Sequence, residues 1–370
     1  MPEKSRSDAP WNGAYHKVNE MFADALVPYV EDGDAIRIHD YHLLLLPAVL
    51  RKRLRQKKDV KIGLFLHTPF PSEDYFSILP FREAICNGLL SCDLVGFHID
   101  EHAKDFLDSA TRVLKGVERS PSDLHYECRK LIVHSFPIGI DPVEFKQKLE
   151  SEATRNEING LAQEFKDKKI LIGVDRLDYI KGIPQKLLAF DKFLTDNPDW
   201  IGKVVLIQLA IPTRPKVEEY IKLTREVESL VGNINGKHGR QSPNTNPGNR
   251  AKPSLPGTFT YAPILYMYQT LPPEKLCALY AVADACLISS TRDGLNMVSY
   301  EYVACQRERK GVLIMSQYTD AAKMLPSSVL VNPRDTPRFA ETIAKVLFMP
   351  MDERARRQDA AAEVVDRWTR

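Results

Sequence analysis

The sequence predicts an α/β protein with two doubly wound parallel sheets, each covered by helices. Short apolar runs rich in β-branched residues alternate with longer helical patterns along the chain. Most of these runs are apolar without interruption, which is typical of strands buried on both faces of a parallel sheet. A chain of 370 residues is also too long for one ordinary core and suits two domains.

The predicted strands and helices follow one another in the order that a parallel sheet requires. The predicted strands are 35–40, 61–68, 93–98, 131–137, 168–175, 203–211, 264–268, 285–291, 311–317 and 328–333. The predicted helices are 43–57, 100–115, 183–196, 215–232, 273–283, 297–308 and 335–348. Ligands of such sheets bind beyond the carboxyl ends of the strands, so residues directly after each strand are the candidates for a site.

A domain boundary is predicted where the turn PIGIDPVEF and a charged helical segment precede a new series of strands. We expect an N-terminal domain over 1–140 and a C-terminal domain over 141–348. The segment 236–258 is dense in Gly, Pro, Asn and Ser and predicts an exposed loop inserted in the second domain. The final segment, 349–370, predicts an amphipathic helix that packs on the body.

Charge and cysteine content exclude several classes of protein. Lys plus Arg number 51 against 49 Asp plus Glu, a net charge of +2, so nucleic acid or an acidic membrane is not expected as the main partner. The six cysteines form no C-x-x-C pair, which argues against a zinc site or disulfide framework and favours a reducing compartment. No apolar run approaches the ~20 residues of a membrane helix, and we expect a cytoplasmic protein.

Polar side chains follow the first two predicted strands. HDYH places His39, Asp40 and His42 at the end of the first, and LHTPFP places His67 at the end of the second. A lone histidine that caps or packs is the simpler alternative, but three polar groups together at a strand end favour a site. Asp40 is the member best suited to accept a proton or to hold a sugar hydroxyl.

VDRLDYIKG is the strongest single signal in the chain. Arg176 follows a strand, and Lys181 and Gly182 open the next helix. Two cations at a helix N-terminus form an anion site, because the helix dipole and free amides add to their charges. The alternatives are a solvated pair of surface cations, or cations held by ion pairs with Asp175 and Asp178.

Two further strand ends carry candidate residues. QLAIPTRP places Arg214 after a strand, and STRDGLNMVSYEYVACQ places Asp293 and Gly294 in a strand-to-helix turn with Glu301 further along. A glycine there lets a ligand approach the backbone, and the helix N-terminus offers its amides. A plain N-cap is the alternative function for Asp293.

Several motifs are missing from the sequence. It contains no G-x-G-x-x-G, P-loop, G-x-S-x-G or metal-spaced histidine cluster, so dehydrogenase, kinase and hydrolase assignments lack their central feature. Asp32, Gly33 and Asp34 form a D-x-D, but they precede their strand, which predicts an ordinary turn rather than a metal site.

Taken in order, HDYHL, FLHTPFPS, FPIGID, GVDRLDYIKGI, QLAIPTR, RDGLNMV, EYVACQ and LVNP resemble segments of the trehalose-6-phosphate synthase family over nearly the whole chain. The resemblance implies a GT-B fold, with two Rossmann-like domains facing a cleft. It implies a retaining glycosyltransferase that moves glucose from UDP-glucose to glucose 6-phosphate and forms trehalose 6-phosphate.

The resemblance also implies roles for the candidate residues, with no metal and no other cofactor. Arg176 and Lys181 would bind the donor diphosphate and act in catalysis with Asp40 and His67. Asp40 and Arg214 would bind the acceptor. No enzyme nucleophile is implied, because the leaving phosphate would help to deprotonate the acceptor. The residues that would complete the donor site are Leu271, Leu276, Asp293, Gly294, Leu295, Asn296, Met297, Val298 and Glu301.

The chain departs from the family pattern in three places. It begins after the family's first strand and glycine-bearing loop, so we expect an N-terminal domain without its first strands. The loop 236–258 is longer than usual, and Asp320 stands where the family usually has glycine.

These departures leave three functions open. The chain could be an active synthase, a catalytically impaired regulatory subunit of a trehalose synthase complex, or a glucosyltransferase with another acceptor. Its partners would be UDP-glucose and glucose 6-phosphate, together with a second copy of the chain or other subunits of such a complex. Neither nucleic acid nor membrane is expected as a partner.

Overall fold

The computed structural model describes residues 10–127, 129–241 and 259–367. The chain divides between Ile138 and Gly139 into two compact units, called here the N-terminal and C-terminal units. Both are α/β, as the sequence predicts. Within the described ranges, no helix has the length and apolar character needed to span a bilayer.

The N-terminal unit contains one mixed sheet. Its elements are α1 (Pro10–Leu26), β1 (Ala35–His39), α2 (Leu46–Arg53), β2 (Lys61–Phe65), α3 (Glu73–Ser77), α4 (Arg82–Leu90), β3 (Leu94–Phe97), α5 (Asp100–Val113), β4 (Glu118–Arg119), β5 (Asp123–Tyr126) and β6 (Arg129–Ser135). In the described part of the unit the strand order is β1-β2-β3-β6-β5-β4. Strands β1, β2, β3 and β6 are parallel, and β4 and β5 form an antiparallel extension.

Aromatic side chains join the sheet of this unit to its helices. Phe70 lies 5.0 Å from Phe76, 5.9 Å from Phe97 and 5.5 Å from Phe106 between ring centroids. All four rings are buried, and each removes a large apolar area from water. This packing fixes α3 and α5 against β3.

The C-terminal unit contains a fully parallel six-stranded sheet within its described residues. Its strands are β7 (Lys169–Arg176), β8 (Val204–Ile211), β11 (Ile264–Tyr268), β12 (Ala285–Ile288), β13 (Val312–Ser316) and β14 (Val329–Val331), and β9 (Arg240–Gln241) pairs separately with β10 (Phe259–Tyr261). Its helices are α6 (Pro142–Glu150), α7 (Glu152–Glu164), α8 (Ile183–Asp196), α9 (Glu218–His238), α10 (Pro273–Val282), α11 (Met297–Cys305), α12 (Ala321–Met324), α13 (Thr336–Leu347) and α14 (Met351–Arg367).

The strand order of this sheet places a switch point between two neighbouring strands. The order is β11-β8-β7-β12-β13-β14, so the chain winds away from β7 in one direction and from β12 in the other. The loops after β7 and β12 therefore diverge to opposite sides and leave a crevice at their carboxyl ends. This is the doubly wound arrangement in which ligands bind.

A buried ion pair lies under the end of β7. Lys186 of α8 donates to Asp175 Oδ2 at 2.5 Å, and both side chains are fully buried. Gln208 of β8 donates to the same oxygen at 3.1 Å. Gly173 makes room for this network, since a Cβ there would lie 2.4 Å from both Lys186 Nζ and Gln208 Oε1. The carboxylate of Asp175 is therefore bound by buried side chains beneath the sheet edge.

The C-terminal helix α14 packs on the unit through polar contacts as well as apolar ones. Buried Gln358 donates to the carbonyl of Val303 at 2.7 Å. Buried Arg354 approaches Asp284, whose carboxylate also pairs with Lys169. Because charged groups are costly to bury alone, these pairings fix where the helix can lie.

Two sequence expectations need correction or extension. The predicted loop 236–258 begins too early: α9 continues to His238, whose buried ring contacts Asp191 at 2.7 Å, and Arg240–Gln241 form β9. The rest of that prediction, 242–258, lies outside the described residues. Strands β4, β5, β9 and β10 were not predicted, since all four are short.

We expect a sharp contrast between two glycine-to-alanine substitutions in the C-terminal unit. Gly182 has φ +65°, and a Cβ there would lie 2.0 Å from the Ser289 carbonyl oxygen. Gly182→Ala should cost more than about 2 kcal/mol of unfolding free energy, through strain and a backbone clash. Gly160 lies inside α7 with open space around it, so Gly160→Ala should add about 0.5–1 kcal/mol. Urea unfolding measures both, and equal effects would contradict the clash.

Candidate active site

The loops after β7 and β12 are joined across the switch point by backbone contacts. The amide of Thr291 donates to the carbonyl of Ile180 at 2.7 Å. The hydroxyl of Ser289 donates to the carbonyls of Lys181 and Gly182 at 3.0 and 2.9 Å. The two loops can approach this closely only because Gly182 has no side chain. The sequence-predicted residues of both loops are therefore brought together.

An ion pair between Lys181 and Asp293 lies at the centre of this junction. Lys181 Nζ is 2.6 Å from Asp293 Oδ2, and the side chains are 12% and 15% exposed. The same oxygen accepts from Ser290 Oγ and Asn296 Nδ2, both at 3.0 Å, and Oδ1 accepts from the amide of Gly294 at 3.1 Å. The alternative that Asp293 is a plain N-cap is wrong, because the N-cap of α11 is Asn296. Asp293 orients the lysine and the loop that leads into α11.

Arg176 is the last residue of β7 and is exposed. Among the described residues its guanidinium has no ion-pair partner within 4.0 Å. The alternative that Asp175 and Asp178 hold the two cations is wrong: Asp175 pairs with Lys186, and Lys181 pairs across the switch point. The charge of Arg176 therefore remains available to a ligand.

The amino end of α11 is built to present amide groups. The side chain of Asn296 caps the helix by accepting from the amide of Ser299 at 3.2 Å. Met297 and Val298 lie in the first turn, where amides have no carbonyl partner within the helix. Leu295 precedes the cap and is buried, which anchors the loop. The positive end of the helix dipole adds to the attraction for an anion or hydroxyl oxygen.

Glu301 lies further along α11, beside α10. Its Oε2 accepts from the hydroxyl of Tyr280 at 3.1 Å. Leu276 is half-buried on α10, and Leu271 is half-buried in the loop before that helix. The sequence analysis did not single out Tyr280, because an aromatic residue inside an apolar helix gives no sign of a polar partner.

Arg214 is held by a chain of hydrogen bonds that leads back to the loop after β7. Its Nη1 donates to the hydroxyl of Tyr220 at 2.7 Å, and that hydroxyl donates to Asp178 Oδ2 at 3.1 Å. Asp178 in turn accepts from the amide of Ile180 at 3.3 Å. Burial and the nearby Asp178 raise the pKa of Tyr220, so its hydroxyl remains a donor. Tyr220 was also missed by sequence reasoning.

In the N-terminal unit, Asp40 and His67 meet at the carboxyl ends of β1 and β2. The amide of His67 donates to Asp40 Oδ1 at 3.3 Å, and the amide of Asp40 donates to the carbonyl of Phe65 at 2.8 Å. Asp40 has φ +68°, a conformation that costs about 1–3 kcal/mol for a residue other than glycine. These bonds maintain the strained backbone and keep the half-buried carboxylate at the sheet edge.

Three histidines cluster at this edge. His39 Nδ1 lies 3.1 Å from His67 Nε2, and the rings of His67 and His98 are 5.4 Å apart. His98 follows β3 and could have been found by the same strand-end rule that identified the others. His42 is exposed and contacts the ring of Tyr41 at 4.1 Å instead. Two of the predicted histidines thus share the edge, and His42 does not join them.

Asp320 is buried next to the Asp293 loop. Its amide donates to the carbonyls of Asp293 and Gly294 at 3.3 and 3.2 Å. Its φ of −64° is open to any residue, so the backbone does not require glycine at this position. An aspartate there places a buried carboxyl side chain beside the backbone of Asp293 and Gly294.

The D-x-D sequence forms a turn, as predicted. Gly33 has φ +84°, Asp34 Oδ2 accepts from the amide of Glu31 at 2.8 Å, and Asp32 Oδ1 accepts from the amide of Lys58 at 3.0 Å. Across the described ranges, no three His, Cys, Asp or Glu side chains form a group that could hold a metal ion.

Comparison with known proteins identifies the family. The model of glycosyltransferase family 20 matches residues 1–247 and 254–370. The chain belongs to this family. The strand order of its C-terminal sheet, with candidate residues at the switch point, is that of the nucleotide-binding α/β folds.

Individual members of family 20 are similar over most of the chain. The 56 kDa subunit of the UDP-forming α,α-trehalose-phosphate synthase of Kluyveromyces lactis is 45% identical over 364 residues, which cover 98% of this chain and 70% of that protein. The structure of a UDP-forming α,α-trehalose-phosphate synthase from Burkholderia xenovorans in complex with glucose 6-phosphate has a TM-score of 0.84 at 29% identity. The match covers 96% of this chain and 75% of that chain. An E. coli structure bound with UDP-2-fluoro glucose has a TM-score of 0.84 at 32% identity, with coverages of 96% and 74%.

We expect His67 to titrate below the usual histidine range. Burial lowers the pKa of His67, the Asp40 carboxylate raises it in part, and His39 lowers it again. The unfolded chain binds this proton near pH ~6.5, whereas the folded protein resists it. The contribution of His67 to stability should therefore be constant above pH ~6.5 and should fall as the pH drops towards the folded pKa.

An NMR titration of the His67 ring measures the folded pKa directly. His67→Gln should flatten the pH dependence of the unfolding free energy just below about pH 6.5. A His67 pKa at or above the usual value would show that burial does not dominate.

Proposed function

We propose that this chain transfers glucose from UDP-glucose to glucose 6-phosphate with retention and forms trehalose 6-phosphate. The observation that carries the proposal is the junction of Lys181 and Asp293 at the switch point, with Arg176 at the end of β7. The names of the similar synthases and the ligands in their structures agree with this substrate pair. Because one fold can serve many activities, the site residues rather than the fold are decisive.

Arg176 and Lys181 bind the donor diphosphate in this proposal. Lys181 has three N–H donors and uses one on Asp293, which leaves donors for phosphate oxygens. Arg176 offers a planar fork that suits two oxygens of one phosphate. Both charges offset the negative charge that grows on the leaving UDP as the glycosidic bond breaks, and no metal ion is required for this.

The donor glucose lies over the turn that begins at Asp293. Oδ1 of Asp293 accepts one hydrogen bond from the amide of Gly294 and can accept another from a sugar hydroxyl. The backbone from Gly294 through Val298 offers further amides to the sugar and the phosphate. Glu301 accepts from the ribose hydroxyls, and Leu271 and Leu276 flank the uracil ring.

Arg214 holds the phosphate of the acceptor. Its link to Tyr220 directs the guanidinium, so that less side-chain freedom is lost when the phosphate binds. Asp40 and His67 of the N-terminal unit bind sugar hydroxyls through the carboxylate and imidazole. No side chain acts as a nucleophile, and the departing phosphate takes the proton of the attacking hydroxyl.

We also propose that the protein works in the cytoplasm, with its small-molecule substrates as the main partners. A second copy of the chain or other synthase subunits are the macromolecular partners to test, a proposal motivated by the subunit name of the Kluyveromyces lactis relative. Turnover of glucose 6-phosphate distinguishes this function from that of a regulatory subunit or of a transferase with a different acceptor.

We expect UDP to bind this chain in the presence of EDTA, and Arg176→Ala to weaken binding by ~1.5–3 kcal/mol, the range for a hydrogen bond to a charged group. The matched control is Arg155→Ala, which removes an exposed arginine of α7 and should leave the affinity unchanged. Isothermal calorimetry measures both. UDP binding that appears only with added magnesium or manganese would contradict the proposed diphosphate site.

Arg214→Ala should raise the KM for glucose 6-phosphate by about tenfold or more, since a charge-assisted phosphate contact is lost. The KM for UDP-glucose should stay within about twofold. The control is Lys222→Ala, which removes an exposed lysine of α9 that pairs with Glu218. It should change neither KM. Donor binding without turnover of glucose 6-phosphate by the unaltered protein would favour the regulatory function or another acceptor.

A further inference from the structure

Tyr280 is a fully buried tyrosine whose hydroxyl reaches a residue of the candidate donor site. It lies on α10, and its hydroxyl oxygen is 3.1 Å from Oε2 of Glu301 on α11. Glu301 itself is half-buried, so one side of its carboxylate faces the interior while the side chain still reaches solvent. The two helices therefore meet through a hydrogen bond between a fixed interior group and a site residue.

The position of Tyr280 is fixed from several directions. Its backbone carbonyl accepts a hydrogen bond from the side chain of Gln306. Its ring lies edge-on to the ring of Tyr302, with centroids 6.2 Å apart. Burial is also the main reason why the pKa of Tyr280 is raised well above its usual value. The hydroxyl therefore stays protonated and acts as a donor to the carboxylate.

We propose that Tyr280 is a positioning residue for nucleotide recognition: it holds Oε2 of Glu301 so that Oε1 faces the ribose hydroxyls of the donor. This inference rests on the proposed function, in which Glu301 binds the ribose. A flexible glutamate would lose side-chain entropy on binding, whereas one held by Tyr280 has lost much of it already. Tyr280 touches neither the nucleotide nor the reacting atoms, so its effect is on affinity and not on the chemical step.

The test compares Tyr280→Phe with the unaltered protein, using UDP and 2′,3′-dideoxyuridine diphosphate as calorimetric probes. The variant should bind UDP about three- to tenfold more weakly, because water can replace only part of the lost hydrogen bond. Its affinity for the dideoxy analogue should be unchanged, since that probe has no ribose hydroxyls for Glu301 to bind. In steady-state kinetics the KM for UDP-glucose should rise while kcat stays the same.

Tyr300→Phe is the matched control. Tyr300 is also fully buried and lies on α11, and its hydroxyl has no hydrogen-bond partner in the described part of the chain. Its removal should leave both affinities unchanged. Glu301→Ala is the second variant. Because it removes the carboxylate that Tyr280 positions, adding Tyr280→Phe to it should cause no further loss of UDP affinity.

Each outcome decides the matter. Selective weakening of UDP binding in Tyr280→Phe alone supports the inference. If the affinity for both probes falls equally, Tyr280 acts only through packing. If neither affinity changes, Glu301 does not depend on Tyr280 for its position. Either result overturns the inference. If the unaltered protein fails to bind UDP, the proposed function fails, and the inference fails with it. UDP binding that survives Tyr280→Phe overturns the inference alone.

Discussion

The ion pair between Lys181 and Asp293 is the interaction on which the candidate site depends, because it joins loops that leave the sheet in opposite directions. Its 2.6 Å contact is supported by the hydroxyl and amide donors around Asp293 and by the close approach of Gly182 to Ser289. This junction holds Lys181, which follows β7, close to the loop that leads into the amino end of α11. The fold supplies the crevice, and the pair gives it a defined shape.

The charge balance of the junction explains how it can bind an anion and still be stable when empty. Lys181 is neutralised by Asp293, so a half-buried cation is never left alone. Arg176 is exposed to water, which solvates its charge until a ligand replaces the water. Beneath them, Asp175 is held by Lys186 and cannot compete for either cation. The separation of interior and site ion pairs preserves the positive potential at the sheet edge.

The rule that residues after parallel strands form the site was productive because it depends only on chain direction. It brought Arg176, Lys181 and Asp293 to one sheet edge and Asp40 and His67 to another. It failed for Tyr220 and Tyr280, which lie inside helices and act through contacts that helix packing creates. The antiparallel pair β4 and β5 escaped notice for a related reason: strands this short have no periodicity of their own and are stabilised by the neighbour to which they add.

The sequence by itself determined the α/β class, the order of the elements, the family resemblance and most of the residues at the strand ends. Apolar period and strand-end chemistry are local properties, and each can be read without knowing what lies opposite. Only the tertiary structure decided which side chains pair: Lys181 with Asp293, Asp175 with Lys186, and Tyr280 with Glu301. These partners lie on different secondary-structure elements or loops, and the distance between them is set by sheet order and helix packing, which no local pattern encodes.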